Sequence, residues 1–343
     1  MSFKTAALIA ACIAATTMRD ASATTTTARG AFVFGGGSGG GGAGRRRAAA
    51  SSSSAAAASS ASSAAPYLSG VNPRDATVAV VSGMPPPLPP LMNTYYLLRH
   101  GQSTANVDGI ISSSRTLAGS DRHGLTMLGL EQGGDAAAQL LDLIIANVDA
   151  AGKSSSSSTT TTSSVYFYSS PFARAIETAR ACLGDMTKSD DGDGGGGTSS
   201  RRRAREAGLT IREGVTVHDG LVERYFGRLD GMALSTYAYV WPNDMFDPTH
   251  TAFDVESVAA VSTRLRTTML DIDSRHQGEE GGDHIVLASH ADVLQILQVY
   301  AAGLDNVGEF SQYRFGNGEV RTMGRVVGSL PEAVPLEPPR RGE

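Results

Sequence analysis

Residues 94–98 read Thr-Tyr-Tyr-Leu-Leu, and the next three residues are Arg99, His100 and Gly101. A short apolar and aromatic run that ends at a polar cluster is typical of a buried β-strand. In a parallel sheet such a strand delivers the residues that follow it to the carboxyl edge. We therefore expect Arg99 and His100 to lie at one edge of a central sheet.

Patterned segments further along the chain alternate between strand and helix. The later predicted strands are Val165–Tyr168, Val215–Val217 and His284–Ala288. The predicted helices run from Thr126 to about Val148, from near Pro171 to Ala181, from Glu256 to His276 and from Asp292 to Ala302. This alternation predicts a three-layer α/β/α sandwich with a mostly parallel central sheet.

Polar clusters directly follow three of the predicted strands. Arg99 and His100 follow the first strand, residues 169–174 follow the second, and Ser289 and His290 follow the late strand. Ligand sites of parallel α/β sheets collect at the carboxyl ends of the strands, where helix N-termini also point. The three clusters are therefore expected to meet in one site.

Residues 99–106 read Arg-His-Gly-Gln-Ser-Thr-Ala-Asn. This block resembles the R-H-G-E/Q-S/T-x-x-N signature of the histidine phosphatase superfamily, also called the phosphoglycerate mutase-like family. Four further blocks resemble the family in the family's order, at residues 125–133, 169–179, 221–231 and 289–290. The resemblance covers roughly residues 93–325 and implies the phosphoglycerate mutase-like fold.

The resemblance also implies a role for each matching residue. His100 would be the nucleophile that carries the phosphoryl group, and Glu223 would be the acid and base. The residues implied to hold the phosphoryl oxygens are Arg99, Asn106, Arg174 and His290, and we add Gln102 and Ser103 of the signature to the predicted substrate-binding residues. Neither a metal nor any other cofactor is expected.

These residue types suit phosphoryl transfer. A neutral imidazole attacks phosphorus directly, so that one displacement becomes two easier ones. Guanidinium groups donate paired hydrogen bonds to phosphoryl oxygens and stay charged at any working pH. Because the transferring group mainly needs alignment and charge stabilisation, fixed cationic donors supply most of the rate. The acid must protonate a leaving oxygen, which favours a carboxyl group with a raised pKa.

Some of these residues have simpler interpretations. Arg174 and Glu177 are spaced to form an exposed ion pair across one helical turn. However, Arg174 follows Pro171 in the first helical turn, where a cation is unfavourable unless an anion also binds there. Glu223 has a structural alternative as well, an ion pair with Arg224 or Arg228 on a loop.

One position departs from the family pattern. Ala291 stands where glycine usually follows the second histidine. If this position required a positive φ, the methyl group would cost of the order of 1 kcal/mol and could shift His290.

Two other groups of residues are less informative. His123, His218 and His250 have no partner at metal-ligand spacing, so we interpret them as surface or loop residues. The aromatic stretch at residues 237–242 either caps the pocket or covers the sheet edge.

The N-terminal region has the composition of a targeting leader. An apolar run from Ala6 to Ala15 precedes the triplet Ala21-Ser22-Ala23, as in a signal peptide, and no acidic residue occurs from there to Arg74, as in a transit peptide. The combination resembles the two-part leaders of plastid proteins in algae with complex plastids, with processing near Phe32. We predict a leader and disordered segment at residues 1–91 and a plastid location. The alternative is low-complexity filler on a cytoplasmic protein.

Residues 92–328 are predicted to form one histidine phosphatase domain, with disordered loops near 152–164 and 187–207 and a flexible tail at 329–343. The net charge of −5 argues against a broad basic face for nucleic acid and favours a small phosphorylated metabolite as partner. No stretch of about 18 apolar residues predicts a membrane span. The sequence carries no signal for oligomeric state.

The sequence supports three functional hypotheses. We favour a phosphatase that acts through a phosphohistidine on His100. A cofactor-dependent phosphoglycerate mutase is the alternative within the same chemistry, although the interval from Glu223 to His290 is short for the insertions typical of glycolytic mutases. A scaffold that binds phosphorylated ligands without catalysis is the alternative from another class, although a pure binder needs neither a nucleophile nor a proton donor.

Overall fold

The computed structural model describes residues 83–119, 121–154, 163–188, 200–276 and 282–343. The predicted leader up to residue 82, with its processing position at Phe32, and most of the two predicted insertions lie outside the described residues. Within the described part of the chain, no helix has both the length and the apolar character needed to cross a membrane.

Five strands form one sheet. They are β1 (Thr94–Arg99), β2 (Ser163–Ser169), β3 (Leu209–Val217), β4 (His284–Ser289) and β5 (Val320–Thr322). Their order across the sheet is β3-β2-β4-β1-β5, with the first four parallel and β5 antiparallel to β1. The prediction of a mostly parallel sheet is confirmed.

The helices alternate with the strands along the chain. They are α1 (Thr104–Asp108), α2 (Arg115–Ala118), α3 (Met127–Ser154), α4 (Ala173–Thr187), α5 (Ser200–Glu206), α6 (Trp241–Phe246), α7 (Val258–Arg275) and α8 (Ala291–Ala302). Short 3-10 turns lie at Asp121–His123, Asp219–Leu221, Gly227–Leu229, Leu234–Tyr239, Ala252–Asp254, Val307–Gln312 and Val327–Ser329.

Both faces of the sheet are covered by helices, as in the predicted sandwich. Leu97 and Leu287 pack with residues of α7 and α8 in one buried cluster. Leu98 and Ala288, their neighbours along the strands, belong to a second cluster with residues of α3 and α4. Because successive strand residues face opposite sides, each central strand must be apolar on both faces, which explains its continuous apolar sequence.

Two segments differ from their prediction. Strand β3 begins at Leu209, whereas the pattern indicated only Val215–Val217. Most residues of this edge strand are exposed, so no apolar run marks it, and its pairing with β2 makes it a strand. Helix α5 lies inside the segment for which a disordered loop was predicted. Ala204 is buried there and Arg203 pairs with Asp142 of α3, long-range contacts that no local pattern encodes.

The loop after β1 lies directly on the start of α3. A Cβ atom at Gly101 would overlap the Gly129 carbonyl group, and one at Gly129 would overlap the Gln102 carbonyl oxygen. Thr126 Oγ1 accepts a hydrogen bond from Gly129 N (3.1 Å) and one further bond joins Thr126 N to Gln102 O (2.9 Å). Glycine at both positions therefore allows the backbone contact that holds the loop carrying His100.

We predict that Gly129→Ala lowers the free energy of unfolding by roughly 1–3 kcal/mol, because the added methyl group forces two backbone segments apart. Urea denaturation measures the effect. Gly184→Ala in α4 is the matched control, since a Cβ there meets nothing within 4 Å. It should be neutral or stabilise by up to about 1 kcal/mol. Equal unfolding midpoints for the two variants would contradict the close approach.

Candidate active site

The polar clusters that follow the strands meet at the carboxyl edge of the sheet. The imidazole rings of His100, after β1, and His290, between β4 and α8, have centroids 5.2 Å apart. Arg174, in the first turn of α4, has its Nε 3.2 Å from Nε2 of His100. A cavity of about 580 Å³ is lined by His100, Arg174, Arg99 and Glu223.

The hydrogen bonds of His100 define which ring nitrogen carries the proton. His100 Nδ1 lies 2.7 Å from the carbonyl oxygen of Gly101, which can only accept, so Nδ1 is the protonated nitrogen. His100 Nε2 then bears a lone pair and accepts from Arg174 Nε–H. Burial first, and then the charges of Arg174 and Arg99, hold the pKa of His100 well below its usual range. The ring is therefore a neutral imidazole with its lone pair at Nε2.

Two buried guanidinium groups flank this imidazole. Arg174 Nη2 donates to the carbonyl oxygen of Ser112 (2.9 Å), and Arg99 Nη1 donates to that of Phe315 (2.6 Å). In the part of the chain that the structure describes, neither guanidinium lies within 4 Å of a carboxylate, and Arg99 Nε has no hydrogen-bond partner. Burial lowers the pKa of Arg174 to about 10. Buried cations that lack counter-ions provide a site for an anion.

The second histidine is held by a serine. Ser170 Oγ lies 2.8 Å from His290 Nε2, while His290 Nδ1 is buried and has no partner among the described residues. Ala291 is the first residue of α8, and the only described non-glycine residues with positive φ are Phe253 and Asp254. The position after His290 therefore has no left-handed strain, so alanine there does not displace the ring.

Glu223 lines the same cavity and is buried. Its Oε1 accepts a hydrogen bond from the backbone N–H of Arg224 (2.8 Å). Burial first, and then the nearby carboxylate of Asp292, raise the pKa of Glu223 to about 7, against the opposing charge of Arg174. A carboxyl group that titrates near neutrality can both give and take a proton.

The ion-pair alternatives for these residues are not what the structure contains. The Arg224 guanidinium binds both oxygens of Asp244 (2.7 Å each), and Arg228 pairs with Asp254 instead. Glu177 accepts from the backbone N–H of Leu125 (2.7 Å) rather than from Arg174. The buried Arg224–Asp244 pair anchors the loop that presents Glu223.

The remaining predicted residues occupy a more peripheral position. Ser103 caps α1, and Asn106 Oδ1 accepts from both the N–H (2.9 Å) and the Oγ–H (2.8 Å) of Ser103. The amide of Asn106 donates to Glu343 O (2.6 Å), and that of Gln102 donates to Gly342 O (3.0 Å). Ser103 and Asn106 line the cavity, whereas Gln102 and His290 do not. The structure nevertheless brings all eight predicted residues to one end of the sheet.

Segment 334–343, which lies within the predicted flexible tail, runs along the cavity. Val334, Pro335, Glu337, Pro339, Gly342 and Glu343 line it. This segment has neither helical nor strand periodicity, so no sequence pattern indicated where it lies. Its position follows from backbone contacts such as Gly342 N to Asn106 O (2.8 Å).

Several supporting residues were missed. The carbonyl oxygen of Ser112 accepts a hydrogen bond from Arg174 Nη2, and Ser112 Oγ lies 2.7 Å from Nδ1 of His123. His123 was interpreted as a surface or loop residue; it ends a 3-10 turn but is buried. Ser170 belongs to the family-like block at residues 169–179. Its hydrogen bond to His290 joins the ends of the neighbouring strands β2 and β4, and no local sequence pattern predicts such a contact. The aromatic stretch was not missed, because Tyr237 and Trp241 line the cavity, in agreement with the first of its two interpretations.

Among the described residues, no three or more His, Cys, Asp or Glu side chains form a group that could hold a metal ion.

The family model of the histidine phosphatase superfamily (branch 1) matches residues 195–325, which include Glu223 and His290. No curated protein sequence gives a significant match.

Three solved structures are similar to this chain over most of their own length. A mycobacterial glucosyl-3-phosphoglycerate phosphatase complexed with VO3 is 20% identical, with 66% of this chain and 90% of that chain covered and a TM-score of 0.44. A phosphoserine phosphatase from Entamoeba histolytica in complex with 3-phosphoglyceric acid is 19% identical, with coverage of 67% and 90% and a TM-score of 0.44. An alpha-ribazole phosphatase from Shigella flexneri is 20% identical, with coverage of 71% and 99% and a TM-score of 0.41.

The family-model match agrees with the sequence blocks that surround Glu223 and His290. Over residues 195–325 the chain is therefore similar to the histidine phosphatase superfamily, branch 1.

Proposed function

We propose that the protein is a metal-independent phosphatase that hydrolyses a small phosphorylated substrate through a phosphohistidine intermediate on His100. The observation that carries the proposal is the state of the His100 ring. Its Nδ1 proton is held by Gly101 O (2.7 Å), and its Nε2 lone pair lies beside the buried guanidinium of Arg174 (3.2 Å). The nucleophilic nitrogen and an anion-binding cation are thus directly adjacent.

In the first step, the Nε2 lone pair of His100 attacks phosphorus and forms a P–N bond. The ester P–O bond breaks, and the leaving oxygen takes the proton of Glu223. The imidazole becomes positively charged, and the Gly101 carbonyl oxygen stabilises its Nδ1–H. Arg99 and Arg174 balance the charge on the phosphoryl oxygens, a role for which both guanidinium groups are held by backbone carbonyl groups in advance.

In the second step, Glu223 acts as the base. It takes a proton from a water molecule, whose oxygen attacks phosphorus. The P–N bond breaks, its electron pair returns to His100 Nε2, and inorganic phosphate leaves. The same carboxyl group thereby regains the proton that the next turnover requires. A pKa of about 7 makes both directions of this transfer accessible at neutral pH.

The nucleophile assignment predicts that rapid quenching with a phosphorylated substrate traps an acid-labile phosphoenzyme. His100→Ala should abolish this labelling, because it removes the Nε2 lone pair that lies beside Arg174. The measurement is phosphate incorporation after alkaline quench and its loss in acid. His218→Ala is the control, since His218 bonds Asp271 away from the cavity, and it should label normally. Full labelling of His100→Ala would falsify the assignment.

Labelling separates the scaffold from both enzymes, and product analysis separates the mutase from the phosphatase. A scaffold would form no phosphoenzyme. A mutase would convert 3-phosphoglycerate, supplied with a trace of 2,3-bisphosphoglycerate, to its isomer instead of releasing phosphate.

The pKa of Glu223 predicts the alkaline limb of the pH profile. Because the first step needs protonated Glu223, kcat for an alkyl phosphate should fall about tenfold per pH unit above pH 7. His100 stays neutral on this limb and at mildly acidic pH, since its pKa is lowered well below 6.5. A kcat that rises from pH 7 to pH 9 would contradict the role of Glu223.

Substitution of the acid tests the two steps separately. Glu223→Gln should lower kcat for an alkyl phosphate by about 10²–10⁴-fold, because the leaving oxygen is no longer protonated. An aryl phosphate such as p-nitrophenyl phosphate needs no such proton, so the variant should release one equivalent of nitrophenolate per site in a burst and then stall without its base. Stopped-flow absorbance measures the burst. Equal losses on both substrates, without a burst, would show that Glu223 does not act as an acid and base.

The influence of Asp292 on Glu223 gives a further prediction. Asp292 is buried, and its charge is the second cause of the raised Glu223 pKa, after burial itself. Asp292→Asn should therefore move the alkaline limb of kcat to lower pH, while burial keeps the pKa of Glu223 above its ordinary value. The Arg224–Asp244 pair remains to hold the loop. A limb at unchanged pH would show that Asp292 does not tune the acid.

A further inference from the structure

We infer that Arg314 forms a second anion-binding subsite in the cavity, so that the preferred substrate carries a second anionic group, a carboxylate or another phosphate, besides the phosphoryl group that reacts at His100. The inference rests on the proposed function and narrows its substrate class.

Arg314 lies at the same end of the sheet as the nucleophile. It follows the 3-10 turn Val307–Gln312 and lines the cavity together with His100 and Arg99. The guanidinium of Arg99 donates to the carbonyl oxygen of Phe315 (2.6 Å), the residue next to Arg314. The backbone directly after Arg314 is therefore hydrogen-bonded to Arg99, which is proposed to bind the phosphoryl group.

The Arg314 guanidinium has unused hydrogen-bonding capacity. Over the described ranges, no carboxylate lies within 4 Å of it, whereas Arg264 and Arg321 bind Glu256 and Glu319. Nη2 of Arg314 is buried without a partner, and Nε makes only a 3.4 Å bond to Ser311 O. A buried charged donor without a partner is unfavourable, and an anionic ligand would satisfy it.

Trp241 orients this guanidinium. The Arg314 Cζ lies 5.4 Å from the centroid of the indole ring, and Trp241 also lines the cavity. A planar cation that rests on an aromatic face keeps its edge N–H groups free for a ligand. The cavity wall thus contains a preoriented cation.

Acidic side chains of segment 334–343 already approach this cation. Glu343 and Glu337 line the cavity, and their charges raise the pKa of Arg314 against the larger lowering effect of burial. Neither forms an ion pair with Arg314 within 4 Å in the described structure. Asp292 adds a third negative charge, but its Oδ2 lies 3.3 Å from Trp241 Nε1 and 3.5 Å from Arg224 Nη1. In the described structure, a ligand anion would therefore compete only with carboxylates that form no ion pair with Arg314.

Trp241 is the only tryptophan of the chain, which permits a direct binding test. Its fluorescence is titrated in the full-length His100→Ala protein, where no turnover occurs. Three ligands share a three-carbon skeleton: n-propyl phosphate has one anionic group, 3-phosphoglycerate adds a carboxylate, and propane-1,3-diol bisphosphate adds a second phosphate. Comparison of the last two identifies which second anion binds better.

Arg314→Gln in this background should raise Kd for the better of the two doubly anionic ligands by about tenfold or more, because a charge-assisted contact is lost. The Kd of n-propyl phosphate should change less than about twofold. Arg314→Lys keeps the charge without the fork and should recover part of the affinity. Arg202→Gln, on the exposed surface of α5, removes the same charge elsewhere and should leave all three Kd values unchanged.

Equal weakening of all three ligands, or no weakening of either doubly anionic ligand, would overturn the subsite. If Arg314→Gln does not fold, the ligand selectivity of Arg314→Lys provides the same decision. Failure of the proposed function is a separate result. Absence of phosphoenzyme in the wild-type protein with a selective Arg314 effect would reject the phosphatase and keep the subsite, whereas normal labelling without that effect would reject the subsite alone.

Discussion

The parallel pairing of β1 with β4 is the constraint on which the site depends. Arg99 lies opposite Ser289 in this register, and His100 N donates to Ser289 O (3.0 Å). The two histidines follow these paired residues and therefore leave the sheet side by side, although they are far apart in the sequence. A register shift by one residue would direct His100 to the opposite face and separate the rings.

The site concentrates positive charge that the described protein does not neutralise. Arg99 and Arg174 are buried around a neutral imidazole, and their pKa values are lowered because burial disfavours the charged form. Such an arrangement destabilises the folded protein unless the surroundings compensate, which the backbone carbonyl groups of Ser112 and Phe315 partly do. A phosphoryl group that enters the site would neutralise this charge. The buried arginines therefore both lower the stability of the folded protein and allow the site to bind an anion.

The carboxyl groups around the cavity divide into two kinds. Asp244 accepts two short hydrogen bonds from Arg224 and has a structural role. Glu223 lacks such a partner, and burial near Asp292 raises its pKa toward neutrality. Identical chemical groups thus acquire different tasks because one is paired with a cation and the other is only desolvated.

The alternation of strands and helices along the chain, the buried character of β1 and β4 and the collection of polar residues at the strand ends could all be predicted from the sequence by itself. These features are encoded by local periodicity and by the position of each residue relative to its own strand. Other features became known only from the tertiary structure: the order of the strands across the sheet, the length of the exposed edge strand β3, helix α5, the burial of His123 and the position of segment 334–343. So did the protonated nitrogen of His100, the raised pKa of Glu223 and the absence of strain at Ala291. Each of these depends on desolvation or on contacts between residues distant in the chain, and neither quantity is present in a local sequence pattern.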